Sequence, residues 1–205
     1  SLSLMIGCAN TEKVNVEEDK LKVSLILDEG GVNDASFNES AWGGALAAKE
    51  KYGVEVNYIE AKQESDYASN IESAIDQEAD LIIGVGFKLA NTIEEAAKLY
   101  PEQKFAAIDC AYENIPSNVQ PILFNEEEAG YAAGLVAANM TKTNKIGFVG
   151  GMDIPSVTNF LIGFEKAIKE ENKDIEVLSQ YANSFTDTAK GRIIAEQMVN
   201  DKCDI

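Results

Sequence analysis

The feature that most constrains this chain is a regular alternation of short apolar runs with stretches of helical period, which starts at Leu21 and continues to the last residue. Residues 23–27 make an apolar run of strand length. Phe37, Ala41, Ala45, Ala48 and Tyr52 then recur at spacings of four and three, which puts them on one face of a helix. Gly53 follows as its C-cap residue. Further strands are expected at 54–59, 81–85, 105–108, 119–123, 146–149 and 175–181. Further helices are expected at 65–78, with Ile71, Ala74 and Ile75 facing inward, and at 90–100, 125–140, 156–171 and 186–200. Residues 81–85 are almost wholly apolar, as befits a parallel strand covered on both faces. Such alternation predicts an α/β fold with parallel sheets and helices on both faces.

A single sheet of that many strands would be large. The stretch 113–121, with Pro116 and Pro121, interrupts the rhythm, and a fresh series starts at Asn125. We read a leading segment at 1–20 and two similar Rossmann-like lobes at 21–124 and 125–205. The chain stops at Asp204-Ile205, where a further strand is due. The second lobe is therefore expected to be truncated, and the natural protein to be longer.

Net charge is −18 and histidine is absent. An acidic chain repels phosphate backbones, so nucleic acid is not an expected partner. Without histidine, neither a Ser-His-Asp nor a Cys-His catalytic site can be built from this chain. No cofactor is implied. The pieces Gly84-Val85-Gly86 and Gly147-Phe148-Val149-Gly150-Gly151 do not complete a dinucleotide fingerprint. Asp28, Asp34 and Asp109 could form an acid/base or divalent-metal set, but their spacing does not favour it, and no metal site is expected.

The three cysteines match no zinc or redox spacing. Cys110 and Cys203 read as small buried hydrophobes, and whether they pair is open. Cys8 closes the run Ser1-Leu2-Ser3-Leu4-Met5-Ile6-Gly7-Cys8, which looks like the end of a bacterial lipoprotein signal peptide. Met5 stands where leucine is usual. The alternatives are a frayed apolar tail or the stub of a membrane helix, although the run is too short to span a bilayer. On the lipoprotein reading Cys8 carries lipid, and the polar stretch from Asn10 to Lys20 is a tether.

Polar and aromatic residues gather just past the strands, where open α/β sheets bind ligands. Asp28, Asn33, Asp34, Phe37 and Asn38 follow the first strand. Gly86, Phe87 and Lys88 follow the third, and Asp109 the fourth. Asp153 and Phe160 come after Gly150-Gly151, and Phe185 and Asp187 after Tyr181. Polar groups beside aromatic planes suit a ligand with hydroxyls at one end and a flat ring at the other. The first loop also admits a plainer reading, because Ser36 and Glu39 have the spacing of a capping box. For any single phenylalanine the plain reading is loop packing.

The stretches Asn33-Asp34-Ala35-Ser36-Phe37-Asn38-Glu39-Ser40-Ala41-Trp42, Phe105-Ala106-Ala107-Ile108-Asp109, Glu128-Ala129-Gly130-Tyr131-Ala132-Ala133-Gly134, Ile146-Gly147-Phe148-Val149-Gly150-Gly151-Met152 and Tyr181-Ala182-Asn183-Ser184-Phe185-Thr186-Asp187 closely resemble the basic membrane protein family. These are bacterial lipoproteins similar to the purine-nucleoside receptors of ABC importers. The resemblance runs from Lys22 to Ile205, although this chain is acidic despite the family's name. It implies a type I periplasmic-binding-protein fold, with two lobes, a hinge and a ligand closed between them. It implies that Phe37 and Phe185 stack on the two faces of a purine, with Phe160 nearby. Asp109 and groups around Asp28, Asn33 and Asp34 would hold base edges and ribose hydroxyls. The family also uses an aspartate and a lysine that would lie past Ile205, so the site on this chain is expected to be incomplete.

The expectation is a non-enzymatic, lipid-anchored substrate-binding protein on the outer face of the cell membrane. It would capture adenosine, guanosine or inosine and deliver it to an ABC permease. The alternatives are a binding lipoprotein for a sugar or other small metabolite, a metal-dependent nucleoside hydrolase, and a repressor or sensor core of the same fold.

Overall fold

The computed structural model describes residues 20–205. Cys8 and the expected tether lie outside them.

Five strands form the first sheet: β1 (Lys22–Leu27), β2 (Glu55–Glu60), β3 (Leu81–Val85), β4 (Lys104–Ile108) and β5 (Val119–Ile122). Their order is β2-β1-β3-β4-β5, and all pairs are parallel. Three helices connect the first four: α1 (Phe37–Tyr52), α2 (Tyr67–Asp76) and α3 (Ala90–Leu99). Neighbouring residues of β1 serve opposite faces, as the twofold period of a strand requires. Ile26 joins Ile71, Ile82, Leu89, Ile93 and Phe105 on the side of α2 and α3. Leu25 and Leu27 join Val85 on the side of α1, under Ala41, Trp42 and Ala45. This two-sided burial is why the inner strands read as continuous apolar runs.

After β5 the chain passes through Leu123, Phe124 and Asn125 into α4 (Glu126–Met140). The second layer adds β6 (Lys145–Gly150), α5 (Pro155–Glu171), β7 (Glu176–Tyr181) and α6 (Thr188–Asn200). β6 and β7 pair in parallel. On the other edge of β6, Gly147 N–H donates to Ile205 O at 2.8 Å and Asp204 N–H to Lys145 O at 3.2 Å. The strand expected at the chain's end is thus in position beside β6.

α4 and α5 lie almost in backbone contact. A Cβ on Gly130 would fall 2.1 Å from Phe160 O, and one on Gly163 would fall 2.0 Å from Glu127 O. No residue with a side chain fits at either place without separating the helices.

Three local expectations need correction. The apolar face of α1 is narrower than its spacing implies. Ala41 and Ala45 pack on the sheet, whereas Phe37 and Tyr52, at the two ends of the helix, are exposed. The capping box also does not form. The Ser36 side chain makes no cap hydrogen bond, and Asp34 does that work. Its carboxylate accepts from the backbone N–H of Ser36 at 2.8 Å, Asn38 at 3.0 Å and Glu39 at 3.1 Å. The next helix opens later than expected, with a 3-10 turn at Glu64–Asp66 ahead of α2, and it buries Tyr67 as well as Ile71 and Ala74. Cys110 and Cys203 are free thiols in separate cores, so they do not form a disulfide.

Candidate functional site

The loop after β1 is held by its own polar groups. Asp28 Oδ1 accepts from Gly30 N–H at 3.0 Å and from Asn38 Nδ2 at 2.8 Å. Asn38 also donates to Gly31 O at 3.1 Å and is only 2 % exposed. Asn38 was expected among the ligand-binding groups. Its side chain is buried, and its Nδ2 group serves to close the loop. Asp34 is likewise occupied with the N-terminus of α1. Asn33 stands exposed on the same loop, and Asp28 keeps its second oxygen 3.7 Å from Lys88 Nζ.

Lys88 ties this loop to the end of β3. Its ammonium donates to Glu29 Oε2 at 3.0 Å, and the Tyr67 hydroxyl donates to the same oxygen at 2.9 Å. Burial opposes the charge on Glu29, but a backbone N–H, Lys88 and Tyr67 outweigh it and hold its pKa below the usual range. Lys88 is pulled down by desolvation and more strongly up by Glu29 and Asp28, so it keeps its proton more tightly than a free lysine. For Tyr67, burial and then the Glu29 carboxylate push the phenol pKa up. The result is a fixed cation flanked by two acids at the carboxyl ends of β1 and β3.

Asp109 caps β4 with φ +59°, a left-handed conformation that costs a non-glycine residue free energy and clusters at functional sites. Its N–H donates to Ile122 O at 2.8 Å, which fixes the turn. Burial, then the nearby Glu126 carboxylate, raise its pKa. Glu126 is the first residue of α4 and accepts from Asn159 Nδ2 at 3.4 Å. Asn159 directly precedes Phe160, which is 40 % exposed on α5. Beneath Asp109, burial drives the Cys110 thiol up to about 11, against a smaller lowering by Tyr112. That cysteine is inert packing.

The rings complete the site. Phe37, at the start of α1, is 47 % exposed and meets Phe124 edge to face, with centroids 6.4 Å apart. Phe185, in the loop after β7, is 54 % exposed and meets Phe87 with centroids 6.0 Å apart at 60°. Phe87 belongs to the first lobe and Phe185 to the second, so the strand ends of the two lobes face each other across this contact. Asp153 is exposed beside the Gly150-Gly151 turn, and Asp187 caps α6 by accepting from Lys190 N–H at 2.9 Å.

Phe124 and Glu126 were missed from sequence, since one lies in the crossover between the lobes and the other opens α4. Phe87 and Lys88 were marked by position but not assigned to the site. Among the described residues, no group of three or more His, Cys, Asp or Glu is placed to hold a metal ion. No described helix is long and apolar enough to cross a membrane. A separate hollow on the outer face of α5 is lined by Glu165, Lys166, Lys169 and Glu170 and has no aromatic wall.

Two parallel α/β lobes with rings and acids at their facing strand ends make up a type I periplasmic-binding-protein fold. An ABC transporter solute-binding protein from Aeropyrum pernix K1 superposes with a TM-score of 0.80 at 35 % identity, over 89 % of this chain and 53 % of that one. The chain belongs to the family of PnrA-like ABC transporter substrate-binding proteins, whose sequence model matches residues 20–205. It is 39 % identical to the ABC transporter nucleoside-binding protein BmpA of Lactococcus lactis, over its whole length and 60 % of the relative. It is 40 % identical to basic membrane protein A of Borreliella burgdorferi, over 90 % of this chain and 54 % of that one. The chain thus spans little more than half the length of these relatives.

Proposed function

We propose that the protein containing this chain captures purine nucleosides for an ABC importer, in a cleft between lobes at 21–124 and 125–205. The observation that carries the reading is the pair of half-exposed rings, Phe37 and Phe185, one on each lobe and each steadied edge-on by a second ring. A flat base between two such rings gains roughly 1–3 kcal/mol from stacking. Asp109, with Asp28 and Asn33 across the strand ends, supplies acceptors for ribose hydroxyls and groups for base edges. A nucleoside is neutral, so a chain of charge −18 does not repel it. The name of the Lactococcus relative supports the ligand class. Lobe closure about the 123–125 crossover is the expected response to capture.

Cys8 is the proposed lipid attachment point, which would hold the protein on the outer face of the cell membrane beside its permease. Replacing Cys8 by serine in the source cell should move the protein from the membrane fraction to the soluble one.

Calorimetric titration of the full-length protein with adenosine, guanosine and inosine tests the ligand class. Binding of at least one is expected, with Phe37→Ala and Phe185→Ala each weakening it about tenfold or more, given the stacking energy at stake. Absence of heat with all three rejects the reading. Binding that survives both substitutions points to a sugar or another ligand without a flat ring.

A further inference from the structure

Phe185 has an unusual seat. Its ring lies against the backbone of Gly151: a Cβ there would fall 2.3 Å from Cε1 and 2.4 Å from Cδ1. One side of the ring is therefore closed by its own lobe. The ring is also carried on an irregular stretch between β7 and α6. Phe87, by contrast, stands on a firm base. It opens the short 3-10 turn Phe87–Leu89, whose Leu89 is fully buried in the first lobe's core. It follows Gly86, whose N–H is bonded to Ile108 O at 3.0 Å. Phe87 is only partly buried, and its ring reaches across to Phe185 at 60°. An aromatic side chain used only for packing would turn into its own core.

We propose that Phe87 is a positioning residue that sets specificity for flat ligands: it fixes the plane of Phe185 when the lobes meet, so that the free face of that ring lies along the bound base. The inference rests on the nucleoside reading above and deepens it. Because the two rings belong to different lobes, their contact exists only while the lobes are together. Its loss should therefore speed dissociation and leave association nearly unchanged, which is where most affinity differences within one interface arise. Edge-to-face pairs contribute enough to predict a change of between about two- and tenfold.

The test uses the full-length protein with inosine, by titration and stopped-flow dissociation, on Phe87→Ala, Phe87→Leu, Phe87→Tyr and Phe185→Ala. Phe87→Ala and Phe87→Leu should both dissociate about two- to tenfold faster, with melting temperatures of the free protein near wild type. Phe87→Tyr, which keeps the ring, should restore the slow rate. Phe87→Ala added to Phe185→Ala should weaken binding little further, because both remove the same pair. If Leu restores what Ala loses, or if the effect tracks a fall in melting temperature, Phe87 is packing and the inference fails. If Phe87 variants match wild type while Phe185→Ala is weak, the inference fails and the nucleoside reading stands. If wild-type protein binds no nucleoside, both fall.

Discussion

The two lobes repeat one pattern of strand pairing, and the described residues hold five strands of the first sheet and two of the second. In the first, Glu55 N–H bonds Leu21 O at 2.8 Å on one edge of β1, and Asp80 N–H bonds Lys22 O at 2.8 Å on the other. In the second, Glu176 N–H bonds Asn144 O at 2.9 Å, and Asp204 N–H bonds Lys145 O at 3.2 Å, on the matching edges of β6. The first sheet continues to five strands with apolar packing on both faces. The second has two described strands, two smaller cores, and exposed Val136, Ile162, Ile193 and Val199 on its helices. Among the described residues, the first lobe packs its sheet on both faces, and the second carries the close seam between α4 and α5.

This contrast breaks if core damage spreads equally through both lobes. Ile26→Ala, at a site with no solvent exposure, should cost about 2–5 kcal/mol. Hydrogen exchange should show that loss in β1, β3 and their helices, with little change in α4 and α5. A smaller effect should come from Gly163→Ala, which drives a methyl into the Glu127 carbonyl. Overpacking of this kind costs about 1–3 kcal/mol, and its exchange signature should be confined to the second lobe. The smallest effect is a pH dependence. Asp204 accepts from Thr141 Oγ1 and Lys142 N–H, both at 2.6 Å, and these bonds, the hydroxyl first, hold its pKa down at about 2 against an ordinary 3.8. A depressed folded-state pKa gives stability that is present above pH 4 and is lost as pH falls toward 2. The amides of Thr143 and Asn144 should therefore exchange faster relative to the first lobe across that window, and Asp204→Asn should remove the dependence.

Much of the architecture was legible because parallel strands buried on two faces must be apolar, and helices between them must carry a 3.6-residue period. Residues 81–85 were read correctly for the first reason, and Gly53 was read correctly as a helix C-cap, with φ +73°. The loop after β1 was harder. Asp34, Ser36, Asn38 and Glu39 all have the chemistry to cap a helix or hold a ligand, and spacing does not say which oxygen reaches the amides first. Asp34 does, and Asn38 turns inward to Asp28. Phe87 and Phe124 illustrate the other limit. Their positions are visible in the sequence, but each earns its meaning from a ring far along the chain, and such a pairing exists only in three dimensions.

The fit of Gly130 under the Phe160 carbonyl has a mechanical consequence. With no slack between α4 and α5, the pair behaves as one plank, with the Phe160 ring along one side and Glu126 at the end that joins the crossover. A sideways load on that ring cannot be absorbed by local sliding of one helix on the other; both helices must move together.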